Sequence, residues 1–323
     1  MRPHESIGAM RLLIIGCAGF LGRSISQAGA RSGYEILGIS RSTKPAGWVG
    51  QYLQKQILSD LDRIIQDFVP DVVLHLAGPA SVCSSFITPL NDLHASLLTW
   101  SNTLEGVRRS GLRPLVLFPS SAAVYGNAEL LPISEDAAIA PISPYGFHKA
   151  ACELLALEYS ECYGLDIIVC RFFSLFGADQ QRLLIWELYK QLAGPHSVVW
   201  LEGKGTESRD YLDVNDATSA VLQLIKNRLD ENNELSYTRE PTLVVNIGSG
   251  QETNVLDLAE QLRILIAPQK QIRCRRLERR GAPERWIADV SRLCSLVPHW
   301  QPKDLRVGLS ECVATWQSCK NVV

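Results

Sequence analysis

The chain has 323 residues, 46% hydrophobic and 20% charged, with a formal net charge of −2. This suits a globular protein of one large domain or two lobes around a cleft, and the near-neutral charge removes any electrostatic case for nucleic acid or an anionic membrane as partner. No apolar run reaches the ~18 residues that a membrane-spanning helix needs. The nine cysteines, at 17, 83, 152, 162, 170, 274, 294, 312 and 319, form no CxxC pair and no Cys/His cluster. No metal site is therefore expected, and the thiols read as reduced, cytoplasmic and mostly buried.

Residues 1–9 carry charge without the apolar core of a signal peptide and read as an extension ahead of the fold. Leu12–Ile15 is a short apolar run that ends in glycines, as a buried parallel strand does. Gly16-Cys17-Ala18-Gly19-Phe20-Leu21-Gly22 then gives G-x-x-G-x-x-G ahead of a helix over about 20–32. Glycine there permits a tight turn and close backbone approach to a pyrophosphate, and the helix N-terminus supplies free N–H groups. The motif is weak alone; its position directly after the first strand strengthens it. Gly16, Gly19, Phe20, Leu21 and Gly22 are the expected pyrophosphate cradle.

Glu35–Ile39 is the second strand, followed by Ser40-Arg41 in place of the acidic residue that would bind an adenosine ribose. Ser40 cannot repel a 2′-phosphate and Arg41 can pair with one, so NADP(H) is favoured over NAD(H). Ser59 is the expected N-cap of a helix that Pro70 closes. Asp71–Leu76 is a strand, residues 90–110 are helical up to Gly111, and Leu115–Phe118 is a strand that runs into Pro119-Ser120-Ser121. Pro144 opens a helix that stops at Gly164, and Asp166–Cys170 is a further strand. The alternation predicts a doubly wound, Rossmann-type parallel sheet over 10–177. Residues 178–323, with helices near 183–193, 214–228 and 254–266, predict a smaller mixed α/β substrate lobe whose segments interleave with the first. The polar stretch 230–241 is the segment expected to vary most.

Tyr145-Gly146-Phe147-His148-Lys149 is Y-x-x-x-K, which places Tyr145 and Lys149 on one helix face. An ammonium beside a phenol favours the phenolate and would lower its pKa, fitting Tyr145 for proton exchange with a substrate hydroxyl. Ser121, 24 residues earlier, can hydrogen-bond the reacting oxygen. His148 reads as a helix-surface residue and Tyr125 as packing.

With these motifs in hand, the sequence over roughly 10–317 resembles the extended short-chain dehydrogenases/reductases that act on nucleotide-diphosphate sugars. The resemblance rests on the glycine loop, His75-Leu76-Ala77-Gly78, the SSAAVYG run at 120–126, SPYGFHK at 143–149, SRDYLDV at 208–214, Asn246-Ile247-Gly248-Ser249-Gly250 and Ala288-Asp289. It implies Tyr145 as acid/base, Lys149 as its partner and as holder of the nicotinamide ribose, and Ser121 as the orienting hydroxyl. It adds Leu76, Ala77 and Gly78 to the cofactor site, places Ser81, Ser174, Arg209 and Arg279 against the substrate, and implies a homodimer. It also departs from the family. Ser174 stands where an Asn is usual after Arg171-Phe172-Phe173, Ser96 replaces another Asn, and Gln54–Leu58 offers no match for an adenine-binding Asp. Asp210 and Asp213 read as loop anchors. Ala122 and Ala123 replace the Asp-Glu pair of dehydratases, so dehydration is not expected. A 4-epimerase is favoured narrowly over an NADPH-dependent reductase of 4-keto-6-deoxy sugars. A non-catalytic NADP-binding scaffold or sensor would be expected to have lost one of Ser121, Tyr145 and Lys149, and all three are present.

Overall fold

The structure, a computed structural model, describes residues 9–56, 60–230, 242–277 and 281–320. In chain order the elements are β1 (Arg11–Ile15), α1 (Phe20–Arg31), β2 (Glu35–Ser40), β3 (Gln51–Gln54), α2 (Leu61–Phe68), β4 (Val72–His75), α3 (Val82–Ile87), α4 (Pro89–Leu93), a π-helical segment (His94–Leu98), α5 (Thr99–Ser110), β5 (Leu115–Ser121) and α6 (Pro144–Tyr163). There follow β6 (Ile167–Phe172), β7 (Ser174–Phe176), α7 (Leu183–Ala193), β8 (Val198–Leu201), β9 (Ser208–Asp213), α8 (Val214–Leu229), β10 (Thr242–Ile247), β11 (Glu252–Asn254), α9 (Val255–Ile266), β12 (Gln271–Cys274), α10 (Ser291–Leu296) and α11 (Leu305–Lys320).

Seven strands form one parallel sheet in the order β10-β6-β5-β4-β1-β2-β3. Alternate residues of each strand feed opposite faces. Leu12, Ile14, Val72, Leu74 and Leu117 pack under α1 and α8 through Ile25, Ala217, Val221 and Leu224. Leu13, Ile15, Val73 and Val116 pack under α2, α5 and α6 through Ile65, Trp100, Leu104, Cys152 and Ala156. With both faces covered, the strands can be apolar throughout, which is why they read as runs rather than alternations. The sheet is the expected Rossmann-like α/β arrangement, and the order in which the chain adds strands reverses between β1 and β4, from β1-β2-β3 on one side to β4-β5-β6 on the other. The crevice at the carboxyl ends of β1 and β4 is where such sheets take ligands.

The interleaving has a definite form. β10 lies far along the chain yet pairs in register with β6 at the sheet edge, Val244 opposite Val169, and α8 covers α1. Of the remaining C-terminal elements, α7, β8, β9, α9 and α11 bury a separate core that includes Ile185, Leu188, Tyr189, Leu258, Leu262 and Trp316, while α10 joins the core of the sheet through Leu293. Local expectations at α6 hold: Ser143 Oγ caps it by accepting from Gly146 N–H at 3.1 Å, Pro144 sits in the first turn, and Gly164 ends it at φ +68°. The single helix expected over 90–110 is instead α4, a π segment and α5. Ser59 lies outside the described residues, as do 231–241.

Candidate active site

The glycine loop is shaped by what surrounds it. Gly16 adopts φ +83°, and a Cβ there would lie 2.5 Å from Ala77 N in the segment after β4. A Cβ on Gly22 would lie 2.6 Å from Gly16 O. Only glycine lets the two strand ends and the start of α1 come this close. Gly16 N–H donates to Ile39 O at 2.8 Å, tying the loop to β2. Gly19 is the N-cap of α1 and carries no side-chain cap, so the first-turn N–H groups remain for an anion. Cys17 beneath the loop is a packed small hydrophobe, its thiol pushed up to about 12 by burial.

A cleft of about 1220 Å³ opens from this loop. Its lining brings together Gly19, Phe20, Leu21, Gly22, Leu76, Ala77, Gly78, Ser81, Ser121, Tyr145, Lys149, Ser174 and Arg209. Gly16 lies beneath it. Ser40 and Arg41 lie beyond it, at the end of β2, where Arg41 is exposed and Ser40 Oγ accepts from Ser42 N–H at 3.2 Å. Arg279 lies outside the described residues.

Ser121 ends β5 and caps a short 3-10 turn at 122–124, its Oγ accepting from Ala123 N–H at 3.2 Å. Tyr145 enters from the first turn of α6, with its N–H donating to Ser85 Oγ at 3.1 Å. Lys149 Nζ donates to Pro119 O at 2.7 Å and stands 5.8 Å from the centre of the Tyr145 ring. The electrostatics correct the expectation of an acidified phenol. Burial pushes Tyr145 up to about 12, Asp92 adds to the rise, and the Ser121 hydrogen bond and the charge of Arg182 only partly oppose it. The same burial lowers Lys149 below its ordinary value. Desolvation outweighs the pairing because both groups are interior.

The Pro119–Ser121 corner is pinned from behind by a buried polar network. Ser120 Oγ donates to Glu153 Oε1, and Arg171 Nη2 pairs with Glu153 Oε2 at 2.7 Å. Arg171 Nη1 donates to Tyr125 Oη at 2.9 Å, and Tyr125 donates in turn to Asn246 Oδ1 at 2.7 Å. Four elements are thereby locked around one strand end, and Tyr125 is the packing residue its sequence context suggests.

On the opposite wall Ser81 caps α3, accepting from Ser84 N–H at 3.2 Å, and Ser174 begins β7. Arg209 Nη1 donates to Ser208 O at 2.6 Å, and its guanidinium lies 5.3 Å from the centre of the Trp286 ring. Trp286 in turn donates from Nε1 to Gly126 O at 2.9 Å, joining this wall to the SSAAVYG turn. Asp210 anchors the neighbouring loop by accepting from Ser249 N–H and Oγ–H, Gly250 N–H and Ala288 N–H. Asp213 caps α8 by accepting from Asn215 N–H at 2.7 Å.

Three features escaped the sequence reading. Arg182, beside Leu183 at φ +68°, lines the cleft and acts on Tyr145. Trp286 lines the cleft under Arg209. His148 is not a surface residue: its side chain is 14% exposed and bonded to buried Asp92. Only a cation just past the RFFSLFG segment hinted at Arg182; nothing local marked the other two.

Comparison with known proteins agrees with this geometry. A 28% identical relative, covering 96% of this chain and 99% of its own length, is a putative UDP-glucose 4-epimerase of Methanocaldococcus jannaschii. A second, also 28% identical and covering 95% and 97%, is the GDP-6-deoxy-D-mannose reductase of Pseudomonas aeruginosa. Among solved structures, MoeE5 in complex with UDP-glucuronic acid and NAD superposes with a TM-score of 0.84 at 25% identity, over 96% of this chain and 99% of that one. The UDP-glucose 4-epimerase of Thermotoga maritima with UDP-glucose gives 0.83 at 25%, over 96% and 100%. The family model for the NAD dependent epimerase/dehydratase family matches residues 12–248, a span that holds the glycine loop, the Ser121–Tyr145–Lys149 corner and Arg209. By that match the chain belongs to the NAD dependent epimerase/dehydratase family.

Proposed function

We propose that this enzyme is a nucleotide-diphosphate-sugar 4-epimerase with a dinucleotide-binding lobe over 10–177 and a substrate lobe over 178–323. The observation that carries the reading is the cleft itself: the glycine loop, the Ser121–Tyr145–Lys149 corner and Arg209 all line one continuous space. A bound nicotinamide supplies reversible hydride acceptance. The deprotonated form of Tyr145, which Lys149 and the positive charge of a bound oxidised nicotinamide would favour relative to the cofactor-free protein, would accept the proton of the sugar O4 as C4 gives up its hydride to the cofactor, with Ser121 orienting that oxygen. Return of that hydride to the other face of C4, with Tyr145 giving the proton back to O4, would complete the inversion. Lys149 holds the nicotinamide ribose. Arg209, with Arg279, meets the diphosphate. Ser81 and Ser174 face the sugar.

The first residues of α1, together with Leu76, Ala77 and Gly78, hold the dinucleotide, and Ser40 and Arg41 favour NADP(H) where the neighbour MoeE5 was solved with NAD. Arg41→Asp is expected to weaken NADP binding about tenfold and spare NAD. Unchanged titrations of both would remove this preference. Exposed Ile87, Leu90, Phe147, Leu154 and Leu157 on α3, α4 and α6 support a homodimer through those helices. Sedimentation gives the state directly.

The deciding test is incubation with UDP- and GDP-sugars, with and without NADPH, read by mass spectrometry and NMR. Interconversion of 4-epimers without added reductant supports the epimerase. The buried alanines Ala122 and Ala123 supply no acid or base for dehydration. The second reading, a 4-keto-6-deoxy-sugar reductase, is favoured by Arg41 and by the reductase relative; it requires one NADPH consumed per product. Binding without either reaction would indicate a scaffold.

A further inference from the structure

The segment between β2 and β3, residues 41–50, has no regular secondary structure, yet both of its ends are held. At the near end three successive carbonyls turn to β3. The Tyr52 hydroxyl donates to Ser42 O at 2.7 Å and, sharing the same proton, to Thr43 O at 3.2 Å. Gln54 Nε2 donates to Arg41 O at 3.4 Å. Tyr52 and Gln54 are two apart on a strand, so both project from one face of β3. On the β2 side, Ser42 N–H donates to Ser40 Oγ at 3.2 Å.

The far end is anchored by Trp48. A Cβ on Gly38 of β2 would overlap the Trp48 ring and lie 2.7 Å from Cys17 Sγ of the glycine loop. The indole therefore fills the space that a side chain at 38 would take. Its Nε1–H donates to Gln51 O at 3.2 Å, and the Tyr52 ring meets it edge-on with 5.5 Å between centroids. Both rings pack against the core that α1 covers. The Tyr52 ring is thus fixed from behind, and its hydroxyl is aimed at the backbone that follows Arg41. Arg41, Ser42, Thr43 and Lys44 are themselves exposed. A cation on a loose loop loses backbone freedom when it closes on an anion, whereas one on a fixed backbone gives up only that of its side chain.

We propose that Tyr52 is a positioning residue for cofactor choice: its hydroxyl fixes the backbone of 41–43 so that Arg41 is presented to the 2′-phosphate of NADP(H). This deepens the preference for NADP(H) proposed above and rests on it. Tyr52 acts through Arg41 and the phosphate, so it bears on NADPH and not on NADH, which carries a hydroxyl in place of that phosphate. A phenol that served only the fold would affect the two cofactors alike.

The test is a fluorescence titration of NADPH and NADH into wild-type protein freed of cofactor, Tyr52→Phe, Arg41→Ala and the double variant. Tyr52→Phe keeps the ring against Trp48 and removes only the donor. It is expected to weaken NADPH about fivefold, the scale of one ordinary hydrogen bond, with NADH unchanged. In the Arg41→Ala background the same change is expected to have no further effect on NADPH, because the residue acted through is gone. Limited trypsin digestion without cofactor gives a second readout: cleavage of the Arg41–Ser42 bond, followed by mass spectrometry, is expected to be about fivefold faster in Tyr52→Phe. Equal weakening of both cofactors, undiminished NADPH affinity, an effect that persists in Arg41→Ala, or unchanged cleavage would each overturn the proposal. If Arg41→Ala weakens NADPH and Tyr52→Phe does not, this inference fails and the NADP(H) preference stands. If wild type and Arg41→Ala treat the two cofactors alike, the preference fails and this inference falls with it.

Discussion

The two walls of the cleft are built in different ways. The wall proposed to take the cofactor is made of short contiguous pieces, 16–22, 76–78, 119–121 and 145–149, each at the carboxyl end of a parallel strand or the first turn of a helix. Its tolerances are set by backbone contacts such as the approach of Gly16 to Ala77. The wall proposed to take the substrate is assembled from side chains far apart in the chain. Asp210 reaches residues 249, 250 and 288, Trp286 reaches Gly126, and Glu252 joins Ser208 to Arg285. One wall is a property of local chain segments, the other of the assembled lobes. The cofactor wall should therefore respond sharply to small backbone changes, and the substrate wall to the loss of single buried polar partners.

The largest expected effect lies at the corner where the walls meet. Tyr145→Phe should reduce kcat by ~10²-fold or more, with cofactor affinity and melting temperature nearly unchanged. Retention of most activity would remove Tyr145 from the chemistry. Gly16→Ala should abolish dinucleotide binding and cost about 3 kcal/mol of stability, since a Cβ is forced onto backbone at positive φ. Gly33→Ala, at φ +79° with open space around it, should cost only about 1 kcal/mol and leave binding intact. Equal behaviour of the two would erase the distinction drawn for the cofactor wall.

Across the cleft, Asp210→Asn leaves buried N–H donors facing an amide. It should cost about 2 kcal/mol in denaturant unfolding and raise KM for the nucleotide sugar. If it weakened dinucleotide affinity instead, the two walls would not be separable.

A smaller, pH-linked effect belongs to the cofactor side. His75 Nδ1 bonds Thr103 Oγ1 at 2.9 Å, while burial brings the ring's pKa from 6.5 down to about 3. The folded value lies below the unfolded one, so the stabilisation is full above pH 6.5 and is lost as pH falls towards 3. Between neutral pH and pH ~5 this group should cost about 2 kcal/mol. His75→Asn should flatten that limb of the stability curve, and an unchanged limb would assign the acid sensitivity elsewhere.

Much of this was legible in the sequence. Glycines after the first strand, the Tyr145–Lys149 spacing and Ser121 after an apolar run are local signals, and local geometry is enough to read them. The sheet was legible for the same reason: strands buried on both faces stay apolar along their length. The segment 90–110 shows the limit. Its composition is helical throughout, yet the helix is broken into α4, a π segment at 94–98 and α5.

The sequence by itself determined the strands of the parallel sheet, the glycine loop and the Tyr145–Lys149 spacing, since each of these depends on residues within a few positions of one another. Only the tertiary structure decided the sign of the Tyr145 shift, the burial of His148 against Asp92, the arrival of Arg182 and Trp286 at the cleft, and the entry of β10 into the sheet. Those depend on desolvation and on contacts between distant segments, and neither is written in local spacing.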